Sequence, residues 1–172
     1  AEAGTVSFGS WSVVDTHMIG GFGMSNTPHH LQLITSDLHV LFGCNWAANK
    51  AGNHALYLEE CRKRGAKVIV IDPWLSQTSQ MVADDSILPG SDTALVIAIC
   101  YEWINAGTYD QEFLDTYCIG FDGDHMPEGA PENASWKDYV MGTGYDMTPK
   151  TPEWAEKICG VPADTIRSLA AE

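Results

Sequence analysis

The chain has 172 residues and a mass of 18.7 kDa, with nine Lys and Arg against 23 Asp and Glu and a formal charge of −14. An apolar content of 45% and a charged content of 19% exclude a disordered chain and leave enough material for a buried core. So few cations argue against nucleic-acid binding, and any phosphate bound here must be met by backbone N–H groups and helix dipoles. In chain order, the β-branched and aromatic run Thr5 to Val14 predicts an opening strand broken by Gly9. The Gly- and Met-rich stretch from His17 to His30 predicts irregular or briefly helical chain. Leu38 to Phe42 predicts a strand. Ala51, Ala55, Leu58 and Cys61 recur at helical spacing, and the run Arg62-Lys63-Arg64-Gly65 suits the negative end of that helix and its stop.

Val68 to Ile71 is a continuous apolar run, the pattern of a parallel strand covered on both faces. Ser76 to Ala83 predicts a short, partly helical connection, and Ser86 to Leu88 a brief strand. Asp92 is placed as the cap of a helix over 93–106, apolar on nearly every face up to Tyr101 and stopped by Gly107. Asp110 caps a second helix through Tyr117. From Cys118 to Lys150 the chain is rich in Gly, Pro and acidic residues without periodicity, which predicts a long irregular excursion on the outside. Thr151-Pro152 opens a helix, Gly160 ends it and Pro162 opens the last. The β-α-β-α-β order predicts an α/β fold: a doubly wound, mainly parallel sheet in a Rossmann-like three-layer domain occupying 1–172 as one unit.

Three turns follow the predicted strands: Gly43-Cys44-Asn45, Asp72-Pro73, and Pro89-Gly90-Ser91-Asp92. Parallel strands bring their C-terminal ends to one edge, so the three turns describe a nucleotide-binding rim. The first opens a helix after a glycine and the second offers a carboxylate at a strand end. The third places an acid at a helix start. Each also has a plain reading, as a βα turn, a turn-initiating Asp-Pro pair and an N-cap. Asp72 stands 29 residues after Gly43, against the usual interval of about 20 for a ribose-binding acid.

No nucleophile, general base or metal-ligating pattern accompanies these turns, so no catalytic and no metal residue is assigned. The five cysteines lie 17 or more residues apart with no CxxC pair, which leaves neither a zinc nor an iron–sulfur motif to read. Cys61 and Cys100 read as small core residues. The six histidines form no metal pattern, and His29-His30 read as loop residues. No run approaches the roughly 20 apolar residues of a membrane span.

Taken together these elements resemble the molybdopterin oxidoreductase family, specifically its dimethyl sulfoxide reductase-like large catalytic subunits. The resemblance runs from about Asp37 to Glu172 and is carried by LFGCN (41–45), KVIVIDP (67–73), LPGSDTAL (88–95), FLDTYCIGFD (113–122) and KTPEWAEKICGVPADTIRSLA (150–170). It implies a bis(molybdopterin guanine dinucleotide) cofactor carrying molybdenum or tungsten. Of that cofactor, Gly43, Cys44, Asn45, Asp72, Pro73, Gly90, Ser91 and Asp92 would hold one guanosine diphosphate arm. The chain departs from the family where Trp46 replaces proline, where Trp74 and Leu88 replace arginines, and in a two-residue shortening before Pro89. The family's metal-ligating residue and iron–sulfur cysteines precede this region and cannot be placed on it. The chain, which starts at Ala1 without Met, is therefore expected to be a cofactor-binding fragment of a larger reductase, inert alone.

By resemblance, its partners are the remainder of its own catalytic subunit, an iron–sulfur electron-transfer subunit and a membrane anchor subunit. The expected place is the outer face of a bacterial cytoplasmic membrane, and the expected chemistry is oxygen-atom transfer from an S-oxide or similar acceptor. A stand-alone nucleotide-binding or interaction domain without activity is the alternative.

Overall fold

A computed structural model describes residues 34–49 and 54–172. The expected strand at Thr5–Val14, the irregular stretch from His17 to His30 and Ala51 lie outside the described residues. Three strands, β1 (Leu38–Phe42), β2 (Lys67–Ile71) and β3 (Asp85–Ile87), form one sheet in the order β1-β2-β3. The strands are parallel, because the residue numbers of bonded partners rise together. Lys67 N–H donates to Asp37 and Gly43 N–H to Ile71, both at 2.8 Å; Asp84 N–H donates to Val68 at 2.8 Å and Asp72 N–H to Ile87 at 3.0 Å. β2 is the central strand, and its residues from Val68 to Ile71 are all buried, as their unbroken apolar run requires. β3 starts and ends one residue earlier than expected and is short and mostly exposed.

The internal contacts of the chain fall into two units. In the first, α1 (Trp46–Asn49), α2 (His54–Lys63) and α3 (Gln77–Val82) pack on one another. Leu58 and Cys61, three residues apart on α2, are fully buried. Burial pushes the Cys61 thiol above its ordinary pKa, in keeping with a core residue. The Arg62 guanidinium donates twice to one Asp84 oxygen, at 2.7 and 3.0 Å, while the other oxygen accepts from the Val68 N–H at 2.8 Å. That pair holds the Asp84 carboxyl below its usual range.

In the second unit α4 (Asp92–Ala106) packs against α6 (Trp136–Met141), α7 (Pro152–Cys159) and α8 (Ala163–Ala171). Leu95, Ala98, Val140, Ala155, Cys159 and Ile166 form its core. The Trp103 indole N–H reaches the Ala170 carbonyl at 2.8 Å, tying α4 to α8. Two expectations need correction. Asp92 is the first residue of α4 rather than its cap; the cap position belongs to Ser91, whose hydroxyl makes no capping bond. α4 is also less enclosed than its composition suggests. Val96 is 40% exposed and Trp103, two turns on along the same stripe, is exposed as well.

α5 (Gln111–Tyr117) starts as expected, with the Asp110 carboxylate accepting from the Phe113 N–H. Between Cys118 and Lys150 stand only a short 3-10 turn (Gly123–His125) and the six-residue α6. Ser135, Val140 and Lys150 of this stretch are buried, so it contributes to the core as well as covering it. The Lys150 ammonium lies 2.6 Å from Asp146, 4.3 Å over the Tyr139 ring and 5.5 Å over Trp154, and it also donates to the Thr148 carbonyl. Thr151 and Pro152 open α7 by a side-chain cap and a proline in the first turn, and left-handed Gly160 closes it.

Candidate functional site

The candidate rim begins where parallel strands stop. In the second unit, Gly43 follows β1, Asp72 follows β2, and Pro89-Gly90-Ser91 leads from β3 into α4. Gly43 takes a left-handed φ of 53°, a turn that glycine makes without steric penalty, and its own N–H is engaged by Ile71. Cys44 is half-buried and Pro73 exposed. The Gly90 N–H donates to the Cys159 carbonyl at 2.7 Å, and a β-carbon at Gly90 would meet that oxygen at 3.4 Å. The loop before α4 is thus seated on the C-terminal end of α7. Neither glycine N–H is left to a ligand; both shape the edge.

Asp72 is the distinctive group. The residue is only 4% exposed, and among the described residues no hydrogen bond or ion pair reaches its carboxylate. A carboxylate at a strand end with no partner among the described residues is open to a hydrogen-bond donor. Next to it in sequence Trp74 and Leu75 are exposed, as is Leu88 at the end of β3. Ser91 is half-buried with its hydroxyl outside any capping bond, and Asp92 is exposed in the first turn of α4. A 15-residue helix directs its first N–H groups and the positive end of its dipole toward this edge.

Asn45, in the first unit, has a different employment from the one its turn suggests. Its carbonyl oxygen accepts from the Thr78 N–H at 3.2 Å and the Thr78 hydroxyl at 2.9 Å, and its amide donates to Gln77 at 2.6 Å. Thr78 in turn accepts from the Ala47 N–H at 2.9 Å. The buried side chain therefore clasps the start of α3, 32 to 33 residues away. No local signature in the sequence announces that bond.

Two further groups had no sequence pattern to mark them. The His39 ring, buried in β1, leaves Nε2 without a hydrogen-bond partner, and burial holds its pKa below the ordinary value despite a backbone bond at Ser36. Asp115, Asp122 and His125 bring ligand atoms within 4.8 Å of one another. That cluster is closed on itself: His125 Nδ1 lies 3.0 Å from Asp122 and 3.6 Å from Asp115, and Gln111 donates to both carboxylates. Among the described residues the edge offers a buried acid, a hydroxyl outside any capping bond and a helix N-terminus, groups suited to hydrogen-bonding a ligand.

The chain is 42% identical over 158 residues to the dimethyl sulfoxide reductase DmsA of Escherichia coli (strain K12), covering 89% of this chain and 19% of that protein. It is 40% identical over 172 residues to the putative dimethyl sulfoxide reductase chain YnfE of the same organism, covering 96% of this chain and 21% of that one. A trimethylamine-N-oxide reductase of Haemophilus influenzae is 30% identical over 184 residues, covering 98% and 20%. The chain thus spans about a fifth of the length of the curated relatives it matches. Among solved structures, the acetylene hydratase from Pelobacter acetylenicus shares the fold, with a TM-score of 0.58 and 24% identity over 82% of this chain and 18% of that one. No protein-family model matches the chain.

Proposed function

We propose, from the premise that this chain is homologous to a segment of dimethyl sulfoxide reductase catalytic chains within the molybdopterin oxidoreductase family, that the carboxyl edge of its sheet holds one guanosine diphosphate arm of a bis(molybdopterin guanine dinucleotide) cofactor. The observation that carries this reading is Asp72, a buried carboxylate with no partner among the described residues, at the end of the central strand of a parallel sheet. Ribose hydroxyls are the donors it lacks.

The fit to the cofactor is partial, and it sorts the eight residues. Asp72 accepts from the ribose. Ser91 and the first N–H groups of α4 face the diphosphate, which a chain with nine cations must bind largely through its backbone. Asp92 cannot face the diphosphate without repulsion, so it takes the donor edge of guanine. Gly43, Cys44, Pro73 and Gly90 shape the edge, and Asn45 positions the chain through Gln77 and Thr78. In the family the bound molybdenum supplies oxygen-atom transfer, here from an S-oxide or similar acceptor; the protein supplies position and electrostatics.

The three parallel strands in sequence order are then one half of a doubly wound, Rossmann-like three-layer sheet, whose order reverses beyond the third. The reading also places the chain inside a larger catalytic subunit, with any iron–sulfur cluster outside residues 1–172. An electron-transfer subunit and a membrane anchor on the outer face of a bacterial cytoplasmic membrane complete it. The segment alone is inactive. Metal, pterin and guanosine monophosphate are measured in the complete polypeptide after hydrolysis. Molybdenum or tungsten with pterin and the guanosine nucleotide supports the proposal. A polypeptide free of metal and pterin refutes it and favours a nucleotide-binding domain without redox activity.

A further inference from the structure

Four side chains of the second unit converge from two elements that the strand edge does not use. Gln111 and Asp115 stand one turn apart on α5, and Asp122 and His125 stand at the two ends of the 3-10 turn. Backbone bonds fix the chain between them. The Gly120 N–H donates to the His125 carbonyl at 2.8 Å, and the Cys118 N–H to the Leu114 carbonyl at 3.0 Å. The ligand atoms of Asp115, Asp122 and His125 all lie within 4.8 Å of one another. His125 Nδ1 is 3.0 Å from an Asp122 oxygen and 3.6 Å from an Asp115 oxygen. Zinc bonds of about 2.0–2.2 Å to N and O, set at tetrahedral angles, space ligand atoms roughly 3.3–3.6 Å apart. Both separations from the ring nitrogen are already close to that spacing.

The charge of the cluster is unbalanced. Among the described residues neither carboxylate pairs with a Lys or Arg. They share only the ring and the Gln111 amide, whose nitrogen lies 2.5 Å from Asp115 and 3.3 Å from Asp122. Asp124 adds a third negative charge acting on the ring. One imidazole proton neutralises this set incompletely, and a divalent ion neutralises both carboxylates in contact with it. The imidazole also distinguishes the cluster from a plain acidic patch. A mixed nitrogen and oxygen set suits zinc and its first-row neighbours, whereas calcium and magnesium take oxygen alone. Asp115 is exposed and Asp122 and His125 are half-buried, so an ion has a path of entry.

We propose that Asp115, Asp122 and His125 bind a first-row divalent cation of the zinc type, which staples α5 to the 3-10 turn. The ion replaces the proton between the ring and Asp122 and takes over the closure that the side chains make among themselves. Its fourth position goes to water or, with the amide turned over, to the Gln111 oxygen. None of these residues belongs to the strand edge, so the site stands or falls independently of the cofactor reading.

The test uses the complete polypeptide, treated with a chelator and then dialysed against radioactive zinc, beside the variants Asp122→Asn and His125→Gln. The parent is expected to bind one zinc more than either variant, and the affinity at this site to fall about tenfold or more in each. Asp122→Asn keeps an oxygen that accepts from the ring, so its melting temperature in chelator should match the parent's. Loss of zinc without loss of stability separates ligation from folding. Zinc is also expected to slow backbone amide exchange over 118–125 in the parent and not in the variants. Equal zinc binding by all three proteins, displacement of the zinc by an equal concentration of calcium, or amide exchange over 118–125 indifferent to zinc would overturn the inference.

Discussion

Asp72 and His39 show how a single buried polar group can carry an expectation. Asp72 has no internal partner among the described residues, so Asp72→Ala breaks no hydrogen bond or ion pair among them. The melting temperature of the chain should stay the same or rise; a fall of several degrees would mean that the carboxylate supports the fold. His39 behaves oppositely. Its folded pKa is depressed by burial, whereas the unfolded ring titrates near its ordinary value of about 6.5. Stability is therefore complete above about pH 6.5 and falls as pH drops toward the lower folded pKa, because only the unfolded chain takes up the proton. His39→Leu should flatten that acid-side loss, read from urea midpoints at about pH 7 and about pH 5; an unchanged slope would contradict it. At this scale the Asp72-Pro73 pair at the end of β2 was legible from the apolar run that precedes it. The engagement of the Asn45 amide by Gln77 and Thr78 was not, nor that of the Gly90 N–H by Cys159, because both bonds join residues far apart in the chain.

The elements most readily read from the sequence were those with local punctuation. Asp110 and Thr151 cap α5 and α7 with their side chains, and left-handed Gly107 and Gly160 stop α4 and α7. The stretch from Cys118 to Lys150 lacks such periodic cues, and its order comes from packing that sequence patterns do not encode. Gly142 ends α6 at φ 80°, and a β-carbon there would lie 2.3 Å from the Pro149 nitrogen. Gly142→Ala should therefore cost roughly 3 kcal/mol, combining left-handed strain with overpacking against backbone. Lys150→Met, which keeps the stem but removes the ammonium from the Tyr139 face and the Thr148 carbonyl, should cost roughly 2 kcal/mol. Denaturant titration measures both, and a loss under about 0.5 kcal/mol for either would contradict the packing described, being no larger than an ordinary surface change. In the same stretch, Asp122 and Asp115 raise the pKa of His125. The contact is complete below about pH 6.5 and is lost as pH rises through the raised folded value. Proton NMR of the His125 ring should show a midpoint above about 6.5 that His125's partner variant Asp122→Asn brings down; a midpoint indifferent to that change would exclude the pair.

For the whole molecule, three parallel strands with intervening helices were legible because continuous apolar runs and amphipathic spacing are local properties. Which atoms at the strand edge remain open to a ligand was not legible, since that depends on which of them the fold itself consumes. The chain alone should bind a guanosine diphosphate only weakly. The edge supplies a few hydrogen bonds and a helix dipole of roughly 1 kcal/mol each, against a rigid-body cost of at least about 4 kcal/mol. Calorimetry should find no submicromolar site, and turnover of an S-oxide by these 172 residues is not expected. The most direct test of the central claim is the guanosine nucleotide content of the complete polypeptide, as purified and hydrolysed, with and without Asp72→Ala. Loss of the ribose bonds should lower the retained nucleotide about tenfold or more, in proportion to a charged hydrogen bond of roughly 1.5–3 kcal/mol, while the fold keeps its stability. Equal nucleotide content in the two proteins would contradict the claim that this carboxylate holds the cofactor.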